Sequence, residues 1–264
     1  MSFRADTEVR AAGDGAYESA IRDGWDVVGK ANGGYLMAIG ARAMAAASRP
    51  HPVSVTAHFL APGEVGPVRI EPAVVKQGRR LTTVRATLSR AGSPLVELLG
   101  SFTERTDLGE TVRVDARPPE LPPPEECPRI EPTAGGFPPA IMGRVELRLH
   151  PDDFAFTSGR PSGRPEFRGW LRLVDDEPID AFALLLAVDV FPPTIFNANL
   201  PVAWTPTLEL TAHVRCEPAP GWLRCRFSTR FITGGMLEED GEVWDEQGRL
   251  VAQSRQLALL PRRR

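Results

Sequence analysis

Apolar and polar residues alternate through "SVTAHFLAPG" (residues 54–63) and again through "ELTAHVRCEPAPG" (209–221), and each run closes on a Pro-Gly turn. A period of two marks a strand with one buried face. Each block then continues as two long alternating strands, a short glycine turn and a final strand. The tripeptides Thr56-Ala57-His58 and Thr211-Ala212-His213 stand 155 residues apart. Gly92 in "LSRAGSPLVE" and Gly248 in "WDEQGRLVAQ" keep nearly the same offset, one residue longer. Ahead of each block lies an apolar segment of helical length, "NGGYLMAIGARAMAAA" (32–47) and "IDAFALLLAVD" (179–189). The pattern predicts an α+β chain in which one helix-plus-antiparallel-sheet unit is written twice.

The boundary between the copies is compositional. Residues 118–139 carry nine prolines in 22 positions, which removes backbone donors and favours an extended chain. We therefore divide the chain into an N-terminal repeat (1–117), a proline-rich linker (118–139) running as a strap between the halves, and a C-terminal repeat (140–264).

Composition narrows the field. With 42% hydrophobic and 25% charged residues, the chain can bury a sizeable core. A net charge of −3 and the lack of a basic helix argue against a nucleic-acid partner. No apolar run approaches the ~20 residues of a membrane span, and "MSFRADTEVRAAGDG" lacks the apolar centre of a signal peptide, so a cytoplasmic protein is expected. The odd cysteine count (Cys127, Cys216, Cys225) suits reduced thiols.

Several chemistries lack their motifs. There is no GxSxG, no phosphate-cradling or dinucleotide glycine loop and no HExxH, and His51, His58, His150 and His213 are isolated; neither metal nor cofactor is expected. Most acids sit in runs such as "LEEDGE" (237–242) and "VDDEPID" (174–180), which read as solvated turns and a helix start. Asp189 differs. Eight apolar residues precede it, two follow, and Pro192-Pro193 stop the helix, which puts a carboxylate in or near a last helical turn. Desolvation and the negative helix end would both raise its pKa, the direction a general base at neutral pH requires. A helix-end residue pointing to water is the other reading.

The helix opening at Gly-Gly, "TAHFLAPG", the strand pair around "GRRLTTVRATLSRAG", the proline-rich link and the closing "RLVAQSRQLALL" together resemble the acyl-CoA thioesterase II family (TesB-type), over roughly residues 20–105 and 165–260. The resemblance implies a double hotdog, each repeat a long helix wrapped by an antiparallel sheet, and hydrolysis of a fatty acyl-CoA without a serine nucleophile. It also implies a site of Asp, Thr and Gln that activates a water, which places Asp189, Thr207 and Gln256 in the catalytic positions. Departures lie in "LELTAHVRC" and in the "VFPPTIFNANLPVAW" loop, which bear on the acyl pocket.

Gly33 and Gly34, opening a helix, could present backbone N–H groups to a thioester oxygen, with close helix packing as the alternative. Tyr35 beside them is assigned as a substrate contact, and so is His58 on its strand, with a purely structural histidine, equivalent to His213, as the alternative reading. The competing functions are a non-catalytic acyl-CoA-binding protein and an enoyl-CoA hydratase or dehydratase, although the loop after Asp189 has no histidine for the latter. The expected partner is acyl-CoA, with a homodimer left open, since two hotdog units make one site and a single chain supplies both.

Overall fold

In the computed structural model, residues 2–104, 112–134, 136–174 and 177–261 are described. One antiparallel sheet of thirteen strands runs through both halves. In the first half, β1 (Tyr17–Ile21) is followed by helix α1 (Gly33–Ala46) and then β2 (His51–Phe59), β3 (Gly66–Gln77), β4 (Leu81–Arg90) and β5 (Ser93–Thr103). The second half has β6 (Val145–Leu149), β7 (Glu166–Leu173), helix α2 (Ala183–Ala187), β8 (Thr207–Val214), β9 (Leu223–Ser228), β10 (Met236–Trp244) and β11 (Leu250–Leu259). The longer strands lie in the order β1-β3-β4-β5-β2-β8-β11-β10-β9-β7-β6.

That order reads almost the same from its centre outwards, as the repeat in the sequence demands. The centre is the antiparallel pair β2–β8, where Thr56 faces Thr211 and their hydroxyls are hydrogen-bonded at 2.9 Å. Around them Ala57 pairs with Leu210, and Val55 with Ala212. Equivalent threonines opposite one another in an antiparallel ladder mark a local two-fold axis.

Helix α1 begins at Asn32, whose side-chain oxygen accepts from the Tyr35 N–H, an N-cap of the ordinary kind. It is apolar on nearly every side because it is buried on nearly every side, sheet on one flank and α2 on the other. The glycines set how close the helices come. A Cβ on Gly34 would lie 2.4 Å from the Leu185 carbonyl oxygen and 2.9 Å from the Asp189 Cβ.

The second helix is far shorter than the apolar segment 179–189 predicts. Its regular part is five residues, because the Asp180 carboxylate takes the N–H groups of Phe182 and Ala183 and the prolines at 192 and 193 close off the other end. The linker also departs from a free strap. A short stretch of it pairs with the edge strand β6: the Ile130 N–H donates to the Leu147 carbonyl (2.9 Å) and the Leu149 N–H to the Pro128 carbonyl (3.1 Å). Cys127 and Ile130 are buried there, and the Trp170 indole N–H donates to the Pro122 carbonyl at 2.8 Å.

The contact at Gly34 yields a test. Gly34→Ala gains helix propensity but forces α1 and α2 apart, for a net loss of about 1–3 kcal/mol and a fall in Tm of roughly 2–10 °C for a chain of this size. A melting curve equal to wild type would show that the helices have room here.

Candidate active site

A cavity of about 510 Å³ opens between the halves, walled by the start of α1, the end of β2, the linker, the segment after α2 and the inner faces of β8, β10 and β11. Its wall is mostly apolar, with Phe59, Phe191, Phe196, Trp204 and Leu237 among the larger groups. The polar side chains on it include Asn32, Asp189, Thr207, Glu239 and Gln256.

Asp189 follows α2 directly, its N–H donating to the Leu186 carbonyl at 3.0 Å. Its Oδ2 accepts from the Gly34 N–H at 2.7 Å and from Asn32 Nδ2 at 3.0 Å, and the same Asn32 nitrogen reaches the Asp189 carbonyl at 2.9 Å. The carboxylate from one half is thus seated on the N-terminus of the helix from the other. These donors and the positive helix end favour the charged form. Burial outweighs them: with the nearby Glu239 charge acting in the same direction, it pushes the Asp189 carboxyl up to about 7. The expected direction stands, and so does desolvation as its main cause, but the expected contribution of a negative helix end does not. A five-residue helix has little dipole, and the helix end that Asp189 meets is positive.

Thr207 opens β8, and its hydroxyl donates to Gln256 Oε1 at 2.8 Å. Gln256, on β11, donates through Nε2 to Glu239 Oε1 at 2.6 Å. The other Glu239 oxygen accepts from the Thr194 N–H at 2.8 Å. Burial raises the pKa of Glu239 as well.

The structure therefore places Asp189, Thr207 and Gln256 on one cavity wall and corrects three other expectations, those for Gly34, Tyr35 and His58. The Gly34 N–H is not open to a substrate oxygen, because Asp189 occupies it. Gly33 lines the cavity; a Cβ there would come within 2.8 Å of the Phe59 ring and 2.9 Å of Asp189 Oδ2, so the glycine also gives the carboxylate room. Tyr35 is wholly buried away from the cavity, stacked on Trp25 with ring centres 5.3 Å apart, and its hydroxyl donates to the Asp6 carbonyl and accepts from the Arg22 N–H. His58 is exposed on the outer face of β2 and has no place on the cavity wall, as the burial of its neighbour Ala57 requires.

Glu239 is the site residue that the sequence reading missed. "LEEDGE" is not a turn but the middle of β10, in which Leu237, Glu239, Gly241 and Val243 alternate inward. Its outward neighbours explain the local density of charge: Glu238 accepts from the N–H groups of Arg230 and Phe231, and Asp240 pairs with Arg255. Period-two alternation with Leu237 and Val243 was the available signal. Among the described residues no group of three His, Cys, Asp or Glu could hold a metal ion, and no helix is long and apolar enough to cross a membrane.

The chain matches two family models, the acyl-CoA thioesterase N-terminal domain over residues 21–103 and the acyl-CoA thioesterase C-terminal domain over residues 124–260. An uncharacterized protein of Mycobacterium tuberculosis is 31% identical over 271 residues, covering 93% of this chain and 91% of that one. Among solved structures, a candidate thioesterase II from Thermobifida fusca is 35% identical with a TM-score of 0.88, covering 98% of this chain and 97% of that one. A hot dog fold protein of unknown function from Alicyclobacillus acidocaldarius, 23% identical, has a TM-score of 0.86 over 99% of this chain and 98% of its own. The fold is therefore a double hot dog.

Asparagine at position 189 can keep both Oδ2 contacts through its carbonyl oxygen, which gives a test of the buried charge. An acid whose folded pKa is raised stabilises the protein below its unfolded pKa, and that contribution is lost as pH rises through the folded value. From the usual 3.8 to about 7, wild type should lose roughly 3–5 kcal/mol relative to Asp189→Asn. Urea denaturation of both proteins from pH 4 to 8 should show their difference growing up to about pH 7 and then levelling. A difference independent of pH would mean an ordinary carboxyl.

Proposed function

The chain belongs to the acyl-CoA thioesterase family, and on that footing we propose that it hydrolyses a fatty or related acyl-CoA to the free acid and CoA with a water activated by Asp189, Thr207 and Gln256. The observation that carries this reading is a carboxyl of pKa about 7 at the wall of an apolar cavity that also exposes the hydrogen-bonded Thr207–Gln256 pair. A base with that pKa is substantially ionised at neutral pH while still able to hold a proton.

Thr207 and Gln256 hold the water, and Asp189 takes one of its protons as the oxygen attacks the thioester carbon. The tetrahedral intermediate then collapses and the C–S bond breaks. The proton held by Asp189 passes to the departing sulfur, whose ordinary pKa as a thiol is about 8.5, so water and acyl-CoA become acid and CoA thiol. The acyl chain lies along Phe59, Phe191, Phe196 and Leu237, burying apolar surface. On this reading residues 1–117 and 140–264 are two repeats serving one site: Asp189 comes from the second, and the Asn32 and Gly34 donors that hold it come from the first. The protein acts in the cytoplasm, and a homodimer is not needed to complete the site.

The purified protein should release CoA from at least one of a panel of short, medium and long acyl-CoAs, with turnover unchanged by a chelator. In kcat/KM against pH, the acid limb should lie near pH 7, with activity lost below it as Asp189 is protonated. Asp189→Asn should lower kcat by about 10²-fold or more and abolish that limb. Thr207→Val and Gln256→Ala should each cost about 10- to 100-fold, less than additively with Asp189→Asn. Binding of acyl-CoA in calorimetry without hydrolysis of any panel member would favour a non-catalytic carrier.

A further inference from the structure

Glu239 has no part in the water-activation scheme as stated, yet it is almost fully buried, lies on the cavity wall and has both oxygens occupied. A buried carboxylate is costly to hold in an apolar wall. Its effect follows from the direction of each hydrogen bond around it. In its ionised form, which the hydrogen bonds from Thr194 and Gln256 favour against burial, the Glu239 carboxylate only accepts. The Thr194 backbone N–H can only donate, and it holds Oε2 at 2.8 Å. Oε1 therefore requires a donor from Gln256, which turns the amide nitrogen towards Glu239 and the amide oxygen towards Thr207. That oxygen takes the one hydroxyl hydrogen of Thr207.

We propose that Glu239 is a positioning residue for the reaction, fixing the Glu239–Gln256–Thr207 relay in one direction so that the Thr207 oxygen meets the attacking water as an acceptor. The inference rests on the water-activated hydrolysis above. With the relay so directed, the water donates one hydrogen to Asp189 and the other to Thr207 Oγ1. It accepts from the second Nε2 hydrogen of Gln256, and one lone pair is left for the thioester carbon. Reverse the relay and Thr207 becomes a donor, which competes for that lone pair.

Glutamine at 239 reverses it. One amide oxygen cannot serve both Thr194 N–H and Gln256 Nε2, so the new NH₂ group faces Gln256, which must flip and turn its own nitrogen towards Thr207. The substitution also removes a negative charge near Asp189. The charged side chains on the cavity wall are Lys30, Asp189 and Glu239, and Lys30 is engaged by Glu64 at 2.7 Å, so Glu239 is the like charge that Asp189 feels across the cavity. A like charge raises a carboxyl pKa; its loss lowers it.

The experiment compares wild type, Glu239→Gln and Glu239→Asp on the acyl-CoA that wild type hydrolyses fastest, reading kcat, KM and the acid limb. Glu239→Gln should lower kcat about 10- to 100-fold with KM within about twofold, and move the acid limb to lower pH. Glu239→Asp keeps the charge but is one methylene too short to span Thr194 and Gln256. It should lose kcat with the limb retained near pH 7, and it carries the test if the glutamine protein does not fold. In a Glu239→Gln/Thr207→Val double variant the loss should be no greater than that of the worse single change, because both act through one oxygen. Wild-type kcat with an unmoved limb in Glu239→Gln, or multiplying losses in the double variant, overturns the relay while leaving the hydrolase standing. A wild type inactive on every acyl-CoA overturns the hydrolase reading, and this inference with it.

Discussion

The arrangement depends on one contact, the Asp189 carboxylate against the first turn of α1. Everything nearby is shaped to permit it. Position 34 has no side chain because Leu185 and Asp189 fill the space a Cβ would need, and position 33 has none because Phe59 and the carboxylate do. Asn32 caps the helix with its oxygen and grips Asp189 with its nitrogen, so one amide serves both the start of a helix and the orientation of an acid from the other half. The contact ties the halves together while leaving the acid poorly solvated, which is why it titrates near neutrality.

The two-fold relation between the halves is close at the centre of the sheet and broken at the helices. Thr56 and Thr211 still face one another at the centre of the sheet. By contrast α1 has fourteen residues and runs out in Ala45-Ala46-Ala47-Ser48, with no acid, whereas α2 has five and delivers Asp189. A symmetric frame therefore carries an asymmetric cavity: the second repeat supplies Asp189, Thr207, Glu239 and Gln256, and the first supplies the helix terminus that receives Asp189.

What could be read from the sequence was whatever local pattern decides. The repeated tripeptide located the central strands, and an acid closing an apolar run before two prolines located Asp189, because solvation cost depends on neighbours that are also neighbours in sequence. Tyr35 was misassigned because one step along a helix turns a side chain by about 100°, carrying it from the cavity side to the Trp25 side. His58 failed by parity, being one residue from the inward Ala57. Glu239 was hidden by Glu238 and Asp240, whose ion pairs lie on the opposite face of the same strand and make the segment look solvated. In the linker, proline content masked Ile130, a single residue whose N–H is enough to join the sheet.

That joined linker bears on the molecule as a particle in solution. A sheet of thirteen strands is a ribbon whose ends offer rows of unpaired amides, a standing template for adding another strand from another chain. At β6 the row is met by the linker, where Ile130 donates to Leu147 and Pro128 accepts from Leu149, and where Pro128 and Pro132 have no amide hydrogen to offer a further strand. The strap thus shortens the bare edge: it gives one bond to β6 and takes one from it, and its prolines interrupt the row of donors that another chain would have to meet.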